Sequence, residues 1–155
     1  MPRRRPVGAR ASTPARSARE TALTHLLDTN TCIRYLNGRS PQVKSRLQSL
    51  RPEDVVLCSV VKAELNYGAA RSRNPERTMA RIAEFEAPFT SLPFDDSCVH
   101  AYGQIRSELE QAGTPIGPND LMIAAITLTH GLTLVTHNTR EFKRVARLSW
   151  ADWEA

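Results

Sequence analysis

Three acidic residues of this chain stand where an apolar segment gives way to a helical one. Asp28 follows the apolar run 25–27, Glu64 lies six residues past the next such run, and Asp120 opens a third apolar segment. If the strands among these segments lie side by side in one parallel sheet, the three carboxylates gather at its carboxyl edge. Open α/β sheets bind their ligands at that edge.

Carboxylates gathered in this way repel one another. Two of them about 4 Å apart repel by about 4 kcal/mol at an effective dielectric constant of about 20, and three raise at least one pKa unless a cation intervenes. Oxygen ligands suit Mg²⁺ or Mn²⁺. Such an ion polarises a phosphodiester and lowers the pKa of a water molecule. The three acids therefore predict metal-assisted hydrolysis of a phosphate ester.

Each acid also has a simpler interpretation. Asp28 and Asp120 suit helix capping, a common role of aspartate, and Glu64 suits an ion pair with a nearby arginine. Asn138 suits a helix N-cap, with Glu141 three residues later in the spacing of a capping box. The metal interpretation depends on all three acids falling at strand–helix junctions of one chain.

Strand and helix patterns alternate along the chain from about residue 24. Strands are predicted at 25–27, 55–58, 89–92 and 132–135, with an edge strand at 148–150. Helices are predicted at 30–37, 41–50, 59–73, 75–87, 95–112 and 121–128, and from 139 onward. This order predicts an α/β fold in which helices cover both faces of a mainly parallel sheet.

Three details of the helices can be predicted from local sequence. Asn30 is the predicted N-cap of the first helix, and Ser59 caps the third. The core-facing stripe of the fifth helix is predicted to be Val99, Tyr102, Ile105 and Leu109. Helix 121–128 is apolar nearly all round, so it is predicted to be buried.

Length and cysteine content favour one domain in a reducing compartment. The 155 residues suit a single core, and no apolar run approaches the roughly 20 residues of a membrane helix. The three cysteines are widely spaced, which indicates neither a disulfide framework nor a zinc site. Cys58, within an apolar run, is predicted to be a buried thiol. A cytoplasmic location fits these features.

The basicity of the chain belongs to its first residues. Six arginines and one glutamate in residues 1–20 account for the whole formal charge of +5, because 15 basic and 15 acidic residues follow. Residues 1–22 lack apolar periodicity and are predicted to be a disordered tail, with a transit peptide, an artefact of the gene model or an RNA-binding arm as alternatives. The folded domain is predicted at 23–155.

With these residues in place, the chain resembles the PIN-domain ribonucleases, and among them the VapC-type toxins of toxin–antitoxin pairs. The resemblance covers about residues 23–153. The matching stretches are 26–33, 64–69, 113–125 and 135–142. Each stretch is weak alone, but in this order and spacing they are specific.

The resemblance implies a three-layer α/β/α sandwich and a Mg²⁺-dependent endoribonuclease, with Mn²⁺ as a possible substitute. Asp28 and Asp120 would ligate the metal, and Glu64 would complete the acidic cluster. Many members carry a fourth aspartate where this chain has Asn138, so a second metal is in question. Thr136 would lie near the attacking water or the scissile phosphate.

The resemblance also implies a supporting residue and several partners. Asn30 would orient the first aspartate. A VapB-like antitoxin and a toxin homodimer are expected. The loop 113–120 is most similar to the subgroup that cuts initiator tRNA in its anticodon stem-loop.

Four helical arginines are predicted from the sequence itself to form a solvated face, with RNA phosphates as their alternative partners: Arg71, Arg73, Arg77 and Arg81. His137 is predicted to be a solvated loop residue.

Two other functions share features with this sequence. A haloacid-dehalogenase-type phosphatase also begins with an apolar strand that ends in aspartate, but its chemistry needs an acid two residues later, where this chain has Asn30. A non-catalytic PIN-like module that binds RNA or an antitoxin is favoured only by Asn138. The nuclease is the preferred prediction.

Overall fold

A five-stranded sheet forms the centre of the computed structural model, which describes residues 25–155; the predicted tail 1–22 lies outside these residues. The strands are β1 (His25–Leu27), β2 (Val55–Cys58), β3 (Thr90–Leu92), β4 (Thr133–Val135) and β5 (Ser149–Ala151). Their order is β3-β2-β1-β4-β5, and all four pairings are parallel. The predicted mainly parallel α/β fold is thus confirmed.

Within residues 25–155, seven α-helices connect and cover the strands. They are α1 (Thr29–Leu36), α2 (Pro41–Ser49), α3 (Ser59–Ala70), α4 (Pro75–Glu86), α5 (Val99–Gln111), α6 (Pro118–Thr129) and α7 (Thr139–Phe142), with 3₁₀ turns at Pro52–Asp54 and Asp96–Cys98. Proline at the first position opens α2, α4 and α6, where its missing N–H costs nothing. Gly113 and Gly131 follow α5 and α6 with φ of +70° and +61°, conformations that favour glycine.

β1 lies at the centre of the sheet, and its burial shows that both faces are covered. Leu26 and Leu27 point to opposite faces, yet each is fully buried. Leu26 pairs with Val56 on one side and Leu134 on the other. The chain builds outward from β1 to β3, then returns to the other side of β1 with β4. The residues after β1 and β4 therefore flank the point where the strand order reverses, which is where such sheets bind ligands.

The buried helix and the buried thiol of Cys58 were both predicted from the sequence and are confirmed. In α6 the buried residues are Leu121 and all those from Ile123 to Thr127. The Thr127 hydroxyl is satisfied inside the helix by donating to the Ile123 carbonyl at 2.8 Å. All three cysteines are buried and free. Over residues 25–155, no helix combines the length and the apolar character needed to cross a bilayer.

Two predicted helix starts are wrong by one or two residues. Asp28, not Asn30, is the N-cap of α1, because its carboxylate accepts a hydrogen bond from the Thr31 N–H at 2.8 Å; the capping role that the sequence also offered for Asp28 is thus confirmed. Cys58 is the N-cap of α3, and Ser59 is the first helical residue. In both cases the strand runs directly into the helix without a separate turn.

Val99 does not belong to the core stripe of α5. Its side chain is 54% exposed, whereas Ile105 and Leu109 are buried. At 100° per residue, Val99 lies about 80–120° around the helix axis from those two residues. Cys98, in the preceding 3₁₀ turn, is fully buried instead.

This difference along α5 can be measured. Ile105→Ala should lower the free energy of unfolding by about 2–5 kcal/mol, because it leaves a cavity in the core. Val99→Ala on the same helix should change it by less than about 1 kcal/mol. Urea denaturation of both variants checks the assignment, and equal losses for the two would contradict it.

Candidate active site

Asp28 is held at the carboxyl end of β1 by its backbone and its side chain. Its N–H donates to the Val135 carbonyl of β4 at 3.1 Å, and its carboxylate caps α1 through Thr31. The residue is only 4% exposed. Burial raises the pKa of Asp28, hydrogen bonds from Thr136 and Thr31 oppose that rise, and the Glu64 carboxylate adds to it.

Thr136 directly follows β4 and is almost fully buried, with its side chain hydrogen-bonded to Asp28. Its N–H donates to the Ala151 carbonyl of β5 at 3.0 Å. Its hydroxyl oxygen accepts from the Asn138 N–H at 2.9 Å, which leaves the hydroxyl proton for the Asp28 carboxylate. Thr136 therefore holds the first acid in position without adding charge.

Glu64 reaches the same edge from the second turn of α3. Its Oε1 accepts a hydrogen bond of 2.7 Å from the hydroxyl of Thr29, the first residue of α1. The hydrogen-bond partner is thus a hydroxyl and not the arginine that the sequence offered as an alternative. Since Thr29 directly follows Asp28, this bond ties α3 to the end of β1.

Asp120 enters from the first turn of α6 and is half-buried. Burial and a hydrogen bond with Glu141 raise the pKa of Asp120 to about 7, and the charges of Glu141, Glu64 and Asp28 add to the rise. The three predicted acids therefore interact with one another. The structure brings together all three side chains that the sequence singled out.

Glu141 is a fourth acid that the sequence interpretation assigned only to a capping box. Asn138 does stand at the N-cap of α7, as predicted, but the capping box is wrong, because the Asn138 side chain makes no capping hydrogen bond to the helix. Instead the Asn138 amide donates to Glu141 Oε2 at 3.3 Å, and the Glu141 carboxyl is hydrogen-bonded to Asp120. A signal for Glu141 was present, since it too lies at a strand–helix junction, after β4.

Asn30 and Asn138 lie in one groove, which Asn138 connects to the cluster through its hydrogen bond with Glu141. Asn30 is exposed on α1 and Asn138 is half-buried. Both line a groove of about 360 Å³, together with Ile33, Arg34, Asn37, Arg39 and His137. The hydrogen-bond partners of Asp28 are Thr31 and Thr136, so the expected role of Asn30 in orienting Asp28 stays a prediction.

The donor set of this cluster fits a hard dication. Its atoms are oxygens from four carboxylates and two hydroxyls, the ligand type that Mg²⁺ prefers. Burial first, and then the neighbouring carboxylates, raise the pKa of Asp120 and so favour its protonated form. A cation would take the place of the proton that Asp120 otherwise retains.

Known proteins match the chain over the described region. The PIN domain family model matches residues 25–148. The tRNA(fMet)-specific endonuclease VapC of Shigella flexneri is 41% identical over 131 residues, which are 84% of this chain and 98% of that relative. Ribonuclease VapC2 of Rickettsia felis is 35% identical over 133 residues, 85% of this chain and 99% of that relative.

Solved structures of VapBC proteins are also similar to this chain in fold. VapBC2 from Rickettsia felis, bound to a DNA fragment from its promoter, has a TM-score of 0.80 and 34% identity, and the match covers 84% of this chain and 99% of that one. DNA-bound VapBC from Salmonella typhimurium also has a TM-score of 0.80, at 37% identity, over 84% of this chain and 98% of that one. The matched family region includes every element that carries a site acid.

The pKa of Asp120 predicts how stability depends on pH. The folded state keeps this proton up to about pH 7, whereas the unfolded chain loses it near 3.8. The folded state therefore binds more protons in that window, and its stability falls as pH rises. In EDTA, the melting temperature should be lower at about pH 8 than at about pH 5, and Asp120→Asn should flatten the dependence.

Asp95→Asn is the matched control. Asp95 is exposed, and its hydrogen bonds from Ser97 lower its pKa, so it is ionised throughout that range and its removal should leave the slope unchanged. Added Mg²⁺ should raise the melting temperature of the unmodified protein most at the higher pH. A slope in Asp120→Asn equal to that of the unmodified protein would show that Asp120 is not the group responsible.

Proposed function

The chain belongs to the PIN-domain family, in its VapC ribonuclease branch, and from this premise we propose that it is a Mg²⁺-dependent endoribonuclease, the toxin of a VapBC-type toxin–antitoxin pair. The observation that supports the proposal most directly is the cluster of four interacting carboxylates at the carboxyl edge of the sheet. Such a cluster is destabilising without a cation, so its chemistry argues for a metal-dependent function.

Each side chain of the cluster has a separate proposed role in binding the cation. Asp28 and Asp120 would ligate Mg²⁺, with Glu64 beside them. When bound, the ion supplies Lewis-acid polarisation of the phosphodiester and a lowered pKa for the attacking water. Glu141, hydrogen-bonded to Asp120, contributes the fourth negative charge. Thr136 keeps Asp28 oriented through its hydroxyl.

Glu141 also weakens the case for a non-catalytic module. That alternative was favoured only by Asn138, an amide at the position where many relatives carry an acid. The Asn138 amide supports Glu141 through a hydrogen bond, and the cluster still has four carboxylates. We therefore infer that Asn138 is a positioning residue for Glu141 and that the acidic charge of the site is complete.

An initiator tRNA is the proposed substrate, cut in its anticodon stem-loop. The name of the Shigella flexneri relative specifies tRNA(fMet), and the loop 113–120 is similar to that subgroup. Proteins read single-stranded loops well, because the bases are exposed there. Residues 21–155 have equal numbers of acidic and basic residues, which suits selection of one structured RNA better than general adhesion to nucleic acid.

A VapB-like antitoxin is the proposed protein partner, and the solved relatives include VapBC pairs. An apolar groove of about 210 Å³ is lined by residues of α1, α3 and α4, among them Glu64; its apolar lining includes Ile33, Leu36, Leu65, Ala69 and Ile82. An antitoxin segment bound there would lie beside the acidic cluster. The toxin homodimer implied by the resemblance stays a prediction.

Substitution of the acids tests the catalytic proposal. Asp28→Asn and Asp120→Asn should each lower the rate of Mg²⁺-dependent RNA cleavage by about 100-fold or more, because each removes a metal ligand. Glu141→Gln should lower it by about 10–100-fold, as for a supporting residue. Glu110→Gln, in an exposed pair with Arg106 on α5, is the matched control and should keep full activity.

Two outcomes of that assay would overturn the proposal. Undiminished cleavage by Asp28→Asn or Asp120→Asn would remove these residues from the chemistry. Unmodified protein that binds RNA in Mg²⁺ but never cuts it would establish the binding module instead. Circular dichroism of each variant separates loss of activity from loss of fold.

The substrate is tested separately. After brief induction, sequencing of RNA ends should show new ends in the anticodon stem-loop of initiator tRNA. Purified protein should cut that tRNA and spare elongator methionine tRNA, a control of the same amino-acid identity. Ends spread over messenger RNA, or equal cutting of both tRNAs, would refute the tRNA assignment while leaving the ribonuclease proposal intact.

A further inference from the structure

A second group of potential ligands lies outside the four-carboxylate cluster. His137 is in the turn after β4, and Asp152 and Glu154 follow β5, the neighbouring parallel strand. The carboxyl ends of these two strands therefore bring the three side chains together. The sequence assigned His137 to solvent, and its side chain is 58% exposed, but its ring has acidic partners.

The three side chains are spaced as ligands of one ion. His137 Nδ1 lies 3.0 Å from Asp152 Oδ2 and 3.8 Å from Glu154 Oε2. One ligand atom from each residue falls within 4.8 Å of the others. Ligand atoms of a tetrahedral ion with bonds of about 2.1 Å lie about 3.4 Å apart, so small side-chain movements would suffice.

Glu154 provides an independent reason to expect a ligand here. Its side chain is only 8% exposed. One carboxylate oxygen pairs with Arg34, but within the described structure Oε2 is buried and has no hydrogen-bond partner. An unsatisfied buried oxygen of a charged group is unfavourable. This atom faces His137, on the side where an ion would bind.

A simple ion pair explains only part of this arrangement. A protonated His137 would satisfy Asp152, which also accepts from the Glu154 N–H at 2.9 Å. It would leave Glu154 Oε2 without a hydrogen bond, because 3.8 Å is too long for one. A dication between the three residues would contact all of them, and Arg34 would limit the excess negative charge.

We propose that His137, Asp152 and Glu154 form a second metal site, which takes a transition-metal dication such as Zn²⁺. One imidazole nitrogen and two carboxylate oxygens suit zinc, whereas the all-oxygen cluster suits magnesium. Three protein ligands leave a position for water. The ion ties the segment after β5 to the turn that carries Thr136 and Asn138. This site is independent of the proposed nuclease function.

Zinc titration of the untagged full-length chain tests the site. Because the catalytic carboxylates also attract Zn²⁺, the titration uses the Asp28→Asn/Asp120→Asn protein and its derivatives. Calorimetry should show one saturable Zn²⁺ per chain, undiminished by excess Mg²⁺. Adding His137→Gln or Asp152→Asn should weaken binding at least about 10-fold. His100→Gln, which removes an exposed histidine of α5, should leave it unchanged.

A spectroscopic readout identifies the ligand directly. Of the four histidines, only His137 should shift its ring nitrogen signals when Zn²⁺ is added. Melting curves without metal show whether each variant is folded. Equal Zn²⁺ affinity with and without His137→Gln, or the absence of saturable binding, overturns the proposal. Neither readout depends on RNA cleavage, so failure of the nuclease proposal would be seen separately.

Discussion

Repulsion among four carboxylates at one edge of the sheet is the interaction on which the site depends. Asp28, Glu64, Asp120 and Glu141 come from four different segments, so only the folded chain brings them together. Among residues 25–155, Asp28 is the one acidic or basic residue that is buried. The apolar core around β1 must therefore offset the cost of assembling this charge, and a bound cation would lower that cost.

Two threonine hydroxyls keep the acids apart and oriented. Thr29 donates to Glu64 and Thr136 donates to Asp28. A hydroxyl can donate to a carboxylate without adding a positive charge, which would compete with a metal ion. An arginine in either place would neutralise the cluster and remove its demand for a cation. The choice of donors thus preserves the electrostatic property that the proposed function requires.

The sequence predicted the sheet edge but not the contacts within it. Unbroken apolar runs such as 55–58 identified buried parallel strands, and the acids that follow strands identified the edge. The Asn138 side chain could cap its own helix or hydrogen-bond Glu141, and the position of Asp120 beside Glu141 decides between these two contacts. Asp120 is carried to that position by α6, from a distant part of the chain. Local spacing carries no information about such a partner.

The prediction of which residues begin a helix was wrong for a related reason. The stripe of α5 was predicted from Val99, but the helix is preceded by a 3₁₀ turn that buries Cys98 and leaves Val99 outward. A single turn of different pitch shifts which residue meets the core. The predicted stripe holds in the middle of α5, where Ile105 and Leu109 are buried, and fails at its first residue.

The pair Asn138 and Glu141 supplies the fourth carboxylate of the site from the start of α7. The two residues are three apart at the start of α7, so their side chains lie on one face. Glutamate is one methylene longer than aspartate, and from the helix it reaches Asp120. The amide of Asn138 donates to it where a carboxylate would repel it. The fourth carboxylate of the cluster therefore comes from the first turn of α7, where Asn138 and Asp120 are its hydrogen-bond partners.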